Sequence, residues 1–400
     1  MKRTVNFGYI GAGPRGQRDL KEGMIMEGCR IVALCDPYQD LLQEAMAIVG
    51  DPQVKSYTDY RDLLRDPEVE AVMIAVEPEN NAQLVCEALE AGKHVQCEVP
   101  LAFSLEDCWR IVLTVEKTGL KFQMAEQARY YPFFQTWGKM ARRGDFGKFL
   151  FAEGEYLHGM TEDRYWQDSE TGKRLSLAQA KNNPKAKKSR FWEMNHPILY
   201  LPHELSPILH VLDDRVSKVS CMATRKQSYK YDWFPQSDIE LAIMQTEKDV
   251  LLRVAAGFTV QTIARASTGC HWYRFMGTEG SFETNRSNSD QMKLWLANSH
   301  MADPAEAMWA YSAYDTPPEA LASGHNGTDY YPTAHFIQSI LDDKTPPMDV
   351  YLAVETAAPA IMAVKSIEQG GACLTVPDFR PGPLRRKGEQ PSPDIMQAKG

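Results

Sequence analysis

Residues 4-TVNFGYIGAGPRG-16 decide the reading of this 400-residue chain. The run starts as a β-type segment, reaches Gly11-x-Gly13-x-x-Gly16 and opens into a polar helical pattern at Pro14 and Arg15. Some twenty residues on, 30-RIVALCD-36 gives a second apolar strand that ends on Asp36. A glycine triplet alone is a weak signal, but strand, triplet, helix and a following strand-end acid together read as a dinucleotide-binding turn. Gly11 permits the tight turn, Gly13 lets the backbone approach a pyrophosphate, and Gly16 lets helix and strand pack closely. The pyrophosphate would rest on the free N–H groups of the helix start. Asp36 would accept from the ribose hydroxyls and repel a 2′-phosphate, which favours NAD over NADP. Arg15 and Arg18 are nearby cations within reach of a phosphate.

The alternation continues outward from this unit. Helix 39–50 is followed by strand 69–76, and helix 80–92 ends at Gly92 as C-cap. Strand 94-HVQCE-98 precedes helix 104–119, with Ser104 as N-cap and Asp107 at N3, and strand 121-KFQMAEQ-127 closes the series. This pattern predicts an α/β domain over residues 1–127, a doubly wound parallel Rossmann sheet whose ligand lies at the carboxyl ends of its strands. Glu77, Glu98 and 127-QARY-130 fall at that edge, with Glu77 and Glu98 read as cofactor-facing.

After Tyr131 the texture changes. An amphipathic helix over 133–144 is followed by alternating segments at 149–159, 216–224, 238–246, 250–259 and 271–284. Alternation with short turns predicts a second, α+β domain over 128–380 with an open, mainly antiparallel sheet. The Pro-, Lys- and Gln-rich stretch 381–400 reads as a loosely attached tail. The basic run 181-KNNPKAKKSR-190 reads as a solvated loop, or as a site for an anionic sugar.

Composition bounds the function classes. A net charge of −9 argues against a nucleic-acid surface. No uninterrupted apolar run of about eighteen residues exists, so no membrane partner is expected. The N-terminus reads as the first strand rather than a signal peptide. Eight cysteines without metal-type spacing fit buried thiols in a reducing cytoplasm.

With 92-GKHVQCEVPLA-102 added to the glycine turn, the chain resembles the glucose-fructose oxidoreductase / inositol dehydrogenase / MocA family. The resemblance implies NAD as cofactor, a sugar substrate, and a homo-oligomer formed through the C-terminal sheet. That family commonly carries Glu-Lys-Pro and a downstream Asp-x-x-x-His; here Glu98-Val99-Pro100 and Ser206-x-x-x-His210 stand instead. Glu-Val-Pro, 200-YLPHELSPILH-210 and 324-GHNGTDYY-331 are similar to the branch containing NAD-dependent α-N-acetylgalactosaminidases. The resemblance implies active-site roles for Tyr200 and His203, and a substrate contact at His158.

Hydride removal from a secondary alcohol needs a base for the hydroxyl proton, and Val99 cannot serve. His203, His210 and Tyr200 are the catalytic candidates, with Glu98 behind them. Ser206-Pro207 resembles an N-cap followed by proline at N1, which predicts a helix starting there and leaves His203 in the preceding loop. His196, His203, Glu204 and His210 lie close in sequence, but their spacing is not His-Glu-x-x-His, so no metal is expected. Glu98, Arg129, Tyr130, Tyr156, His158, His325 and Tyr330 are the expected substrate contacts. The leading reading is an NAD(H)-dependent oxidoreductase that acts on a sugar or glycoside at a ring hydroxyl such as C3. Redox-neutral glycoside hydrolysis is the second reading, and a non-catalytic sugar or NAD sensor the third.

Overall fold

The computed structural model describes residues 3–189, 196–261, 269–287, 289–297, 305–306, 316–383 and 385–392. The first sheet comprises β1 (Val5–Ile10), β2 (Cys29–Cys35), β3 (Lys55–Tyr57), β4 (Ala71–Ile74), β5 (His94–Cys97) and β6 (Phe122–Met124); its inner strands are largely apolar, while the edge strand β3 is polar and exposed. They pair in parallel in the order β3-β2-β1-β4-β5-β6. The inner strands are apolar on both faces because helices cover both. The predicted start of the helix Leu105–Thr118 is found: Ser104 Oγ accepts from Asp107 N–H at 3.0 Å.

Among the described residues a second sheet has nine strands, built on β7 (Phe149–Leu157), β10 (Val216–Ala223), β11 (Glu240–Thr246), β12 (Leu251–Gly257) and β13 (His271–Gly277), while β8 (Trp166–Asp168) and β9 (Ala186–Lys188) pair separately. Its neighbours are antiparallel except β7 and β12, which run parallel. The stretch 271–284, expected as one strand, is a hairpin of β13 and β14 (Gly280–Glu283). Gly277 makes the reversal: a Cβ there would come within 2.2 Å of Phe146 O.

The helix expected to start at Pro207 starts at Pro202 and runs to Leu212, with Pro207 inside it. Pro202 fits the first turn, where no N–H is needed. Pro207 deprives the carbonyl of His203 of its helical donor, and the Tyr273 hydroxyl donates to that oxygen at 3.1 Å. His203 is therefore fixed on the first turn of a helix rather than in a loop.

The helix Val350–Glu368 is long and apolar enough to cross a membrane, yet 72% of its apolar window is buried inside the fold. Within the stretch expected as a loose tail, one residue is firmly anchored. Arg385 is buried, and its guanidinium donates to Glu116 Oε1 and Oε2 at 2.7 and 2.8 Å and to Phe379 O at 2.7 Å.

Candidate active site

The glycine turn opens onto a cavity of about 640 Å³ at the carboxyl edge of the parallel sheet. Gly11, Gly13, Pro14, Arg15, Asp36 and Glu77 all line it. Gly11 has φ +101°, and a Cβ on it would stand 2.3 Å from Ala75 O. A Cβ on Gly16 would stand 1.9 Å from Gly11 O, so Gly16 packs the helix onto the turn and does not line the cavity. A Cβ on Gly13 would meet nothing within 4 Å, which leaves its backbone open to a ligand. Asp36 accepts from Ala12 N–H at 2.7 Å and from Tyr38 N–H at 2.8 Å, so it braces the turn as well as facing the cavity. Burial raises its pKa against those two bonds.

The basic run keeps Lys181, Lys185, Lys187 and Lys188 exposed, as a solvated loop does, while its Lys187 and Ser189 also reach this cavity. Arg164, Arg174 and Lys187 line it, and Lys187 Nζ donates to the Tyr38 hydroxyl at 2.8 Å. Arg190 lies outside the described residues.

Arg15 and Arg18 do not reach out as phosphate ligands. Arg15 is held by Asp19 (3.1 Å), Glu98 (2.8 Å) and Asp329 (3.5 Å), and Arg18 approaches Asp329 at 3.9 Å. Glu98 thus follows β5 as the partner of a half-buried cation. Its backbone also accepts from Asn81, whose amide bridges Glu98 O and Pro100 O.

The strongest concentration of chemistry lies where β6 ends. His203 Nδ1 stands 2.7 Å from Glu126 Oε2. Glu126 is fully buried and its other oxygen accepts from Ala128 N–H at 2.6 Å, which fixes the carboxylate. Burial disfavours the charged imidazolium, but Glu126, with Glu204 and Glu98 adding to its field, outweighs that and raises the His203 pKa. The two atoms meet as a close ion pair without the alignment of a hydrogen bond, and with Nδ1 turned to Glu126 it is Nε2 that is left to meet a substrate hydroxyl.

Around His203 stand Tyr156 at 5.4 Å and Tyr200 at 5.9 Å between ring centroids. Tyr156 stacks on His271 at 4.6 Å, and His271 Nδ1 lies 2.5 Å from Glu204 Oε1. His158 meets the edge of Tyr156 at 6.2 Å. Tyr156, His158, Tyr200 and His203 therefore share one wall. Burial pushes the Glu204 carboxyl well above the usual range, and the Tyr156 hydroxyl likewise.

The other expected contacts go elsewhere. His210 lies two helical turns below His203, with Nδ1 3.1 Å from Arg129 Nη2. Burial and the cations Arg129 and Arg142 lower its pKa to about 3. Arg129 turns to His210 and Met348, and Tyr130 packs on Tyr331 at 5.8 Å and His335 at 5.1 Å. Burial pushes the Tyr130 hydroxyl up to about 12. His325 bonds Asp329 at 2.8 Å, within the Arg15 cluster, and Tyr330 packs beside Tyr331. None of these joins the His203 wall. The four residues weighed as metal ligands have four different partners: Glu240 for His196, Glu126 for His203, His271 for Glu204 and Arg129 for His210.

Glu126 is the functional candidate that sequence reasoning missed. Its one signal was an acid at the end of the last Rossmann strand, in 121-KFQMAEQ-127. His271 carried no local signal, and its partner Glu204 was noticed only as one of the residues weighed for a metal.

Comparison with known proteins agrees with this two-part plan. Residues 5–126 match the family model for the oxidoreductase family, NAD-binding Rossmann fold, and residues 136–385 match glycosyl hydrolase 109, C-terminal domain. A glycosyl hydrolase family 109 protein of Shewanella sp. (strain W3-18-1) is 27% identical, covering 95% of this chain and 86% of that protein. One from Saccharopolyspora erythraea is 26% identical, covering 99% of this chain and 87% of that protein. Among solved structures, an oxidoreductase domain protein from Kribbella flavida superposes with TM-score 0.75 at 17% identity, over 94% of this chain and all (100%) of that one. Levoglucosan dehydrogenase, solved with NADH and levoglucosan, superposes with TM-score 0.72 at 20% identity, over 94% and 100% of the two chains. At these identities the two structures speak for the fold. The glycine turn, the open cavity beside Gly13 and the matched Rossmann domain together make NAD the cofactor. The chain belongs to the glycosyl hydrolase 109 family, carried on an NAD-binding oxidoreductase domain.

Proposed function

We propose that this enzyme cleaves a glycoside by a redox-neutral route, with hydride transfer at a ring hydroxyl, C3 in our reading, that is reversed within each turnover. The observation that carries the reading is the His203–Glu126 pair, 2.7 Å apart, at the carboxyl edge of the dinucleotide sheet. Bound NAD would supply the hydride acceptor and donor. His203 Nε2 takes the hydroxyl proton, and Glu126 orients the ring and stabilises the imidazolium that results. Tyr156 and Tyr200 present aromatic surface suited to a sugar ring, and their hydroxyls are donors for its oxygens. The net reaction adds one water across the glycosidic bond and leaves the cofactor as it began.

Net oxidation of a free sugar shares the same hydride step and stands second. It led on sequence alone; the matched C-terminal domain over residues 136–385 favours cleavage. The discriminating experiment incubates the protein with aryl glycosides and free sugars, with and without NAD. Aglycone release without NADH accumulation is expected. NADH accumulation without cleavage overturns the proposal in favour of net oxidation, and NAD binding with no turnover favours the sensor reading.

The same reading includes self-association through the second sheet. Met222, Ile243, Leu251 and Met276 are exposed, and their cross-strand registers put them on one face of it. A cytoplasmic setting fits Cys35, Cys86, Cys97, Cys108 and Cys221, all free and buried. Light scattering tests the first point, and a monomer at all concentrations would refute it.

A further inference from the structure

A second cavity, of about 470 Å³, opens on the far side of the helix Pro202–Leu212 from the dinucleotide turn. Arg129, Arg142, His210, Arg215, Lys248 and Arg380 line it, together with the acids Asp213, Asp214, Glu247 and Glu355. Three of these cations are neutralised locally. Arg380 is held bidentately by Glu355 at 2.5 and 3.0 Å, Arg215 by Asp378 at 2.6 Å, and Lys248 by Asp213 at 3.5 Å.

Arg129 and Arg142 are not. Arg129 is only 8% exposed, yet its guanidinium donates to a thioether, Met348 Sδ, and an imidazole, His210 Nδ1, and has no carboxylate partner among the described residues. A buried cation is normally paired. Because Arg129 can only donate, His210 Nδ1 accepts and the ring proton sits on Nε2. That Nε2 is buried and unpartnered. It and Arg142 converge: a Cβ on Gly138 would lie 3.2 Å from His210 Nε2 and 3.3 Å from Arg142 Nη1. A buried arginine, an imidazole N–H and an exposed second arginine thus bring donors together, and among the described residues no carboxylate is bonded to any of the three, although carboxylates line other parts of the cavity.

We propose that this cavity binds a small organic anion, whose phosphate or carboxylate end is held by Arg129, His210 and Arg142. The cavity exceeds what a bare phosphate fills, so the remainder of the ligand occupies the space toward Arg215 and Arg380. The site is independent of the catalytic reading, since His203 faces Glu126 and not this cavity.

The test titrates NAD-saturated protein, whose pyrophosphate cradle is filled, by calorimetry. The probes are inorganic phosphate, citrate and glucose 6-phosphate. Saturable binding of at least one is expected. Phosphate against citrate distinguishes the anion, and a gain for glucose 6-phosphate over phosphate shows that the rest of the cavity takes part. Arg129→Gln should abolish binding. Arg142→Gln, an exposed position whose replacement leaves the fold intact, should weaken it about tenfold or more, the loss of one charge-assisted hydrogen bond. No saturable binding of any probe, or affinity that Arg142→Gln leaves within about twofold, overturns the proposal.

Discussion

Replacing Glu126 by Gln keeps the shape of the side chain and removes its charge at a point 2.7 Å from His203 Nδ1. In the native protein the carboxylate outweighs burial and raises the His203 pKa above its ordinary value, which is about 6.5. With Gln there, burial is no longer opposed by its nearest charge, and the His203 pKa falls. A hydrogen bond to a charged group contributes roughly 1.5–3 kcal/mol. If that interaction forms as the ring takes the substrate proton, its loss lowers kcat/KM by roughly 10- to 100-fold. The pH profile supplies a signature that a merely structural role would not. Activity that needs neutral His203 rises with pH through the raised pKa, so Glu126→Gln should move that acid limb to lower pH while lowering the plateau. The ion pair itself stabilises the fold fully below the unfolded histidine pKa, and that stability is lost as pH rises through the folded one. Initial rates with an aryl glycoside and NAD-loaded protein across pH 5–9, a range of about two units either side of neutrality, measure both effects. An unmoved acid limb with a rate loss under about threefold would refute the assignment of His203 and Glu126 as base and orienting acid.

The remaining predictions concern the frame of the site. Gly13→Ala should fold normally, since its Cβ meets nothing within 4 Å, yet lose NAD affinity by fluorescence titration, whereas Gly11→Ala should also lose stability at its φ of +101°. Equal melting temperatures for the two variants would contradict this. Tyr273→Phe removes the donor to the His203 carbonyl left open by Pro207 and should cost about 1–2 kcal/mol in denaturant unfolding. Arg385→Ala should destabilise the protein by about 1.5–3 kcal/mol, because it removes the charge-assisted bonds to Glu116, which among the described residues keeps only Tyr351 and Gly388 as donors. A stability unchanged by that variant would return residues 381–392 to the status of a passive tail.

The dinucleotide half was legible because its physics is local. Strand, glycine turn, helix and strand-end acid lie within 33 consecutive residues, from Thr4 to Asp36, and each has a steric or electrostatic task that the residue type announces. The wall residues Tyr200, His203 and His158 were reached through resemblance, and Tyr156 through its place on a strand expected to face the cleft. Their neighbours could not be reached. Glu126 and His203 are 77 positions apart, and His271 and Glu204 are 67 apart, so it takes the packing of the helix Pro202–Leu212 against β7 and the turn Ala128–Tyr130 to join them.

The misplaced expectations have the same origin. Pro207 read as a helix start because a proline inside a helix leaves a carbonyl without a donor; Tyr273, from a distant strand, removes that objection. Arg15 read as a phosphate ligand because its cluster partners, Glu98 and Asp329, lie 83 and 314 residues away. The sequence by itself determined the sheet, the cofactor turn and the segment that carries His203. The tertiary structure decided which carboxylate stands behind that histidine and which cations are left without one. Charge pairing in a buried site depends on distances between residues far apart in the chain, and those exist only after folding.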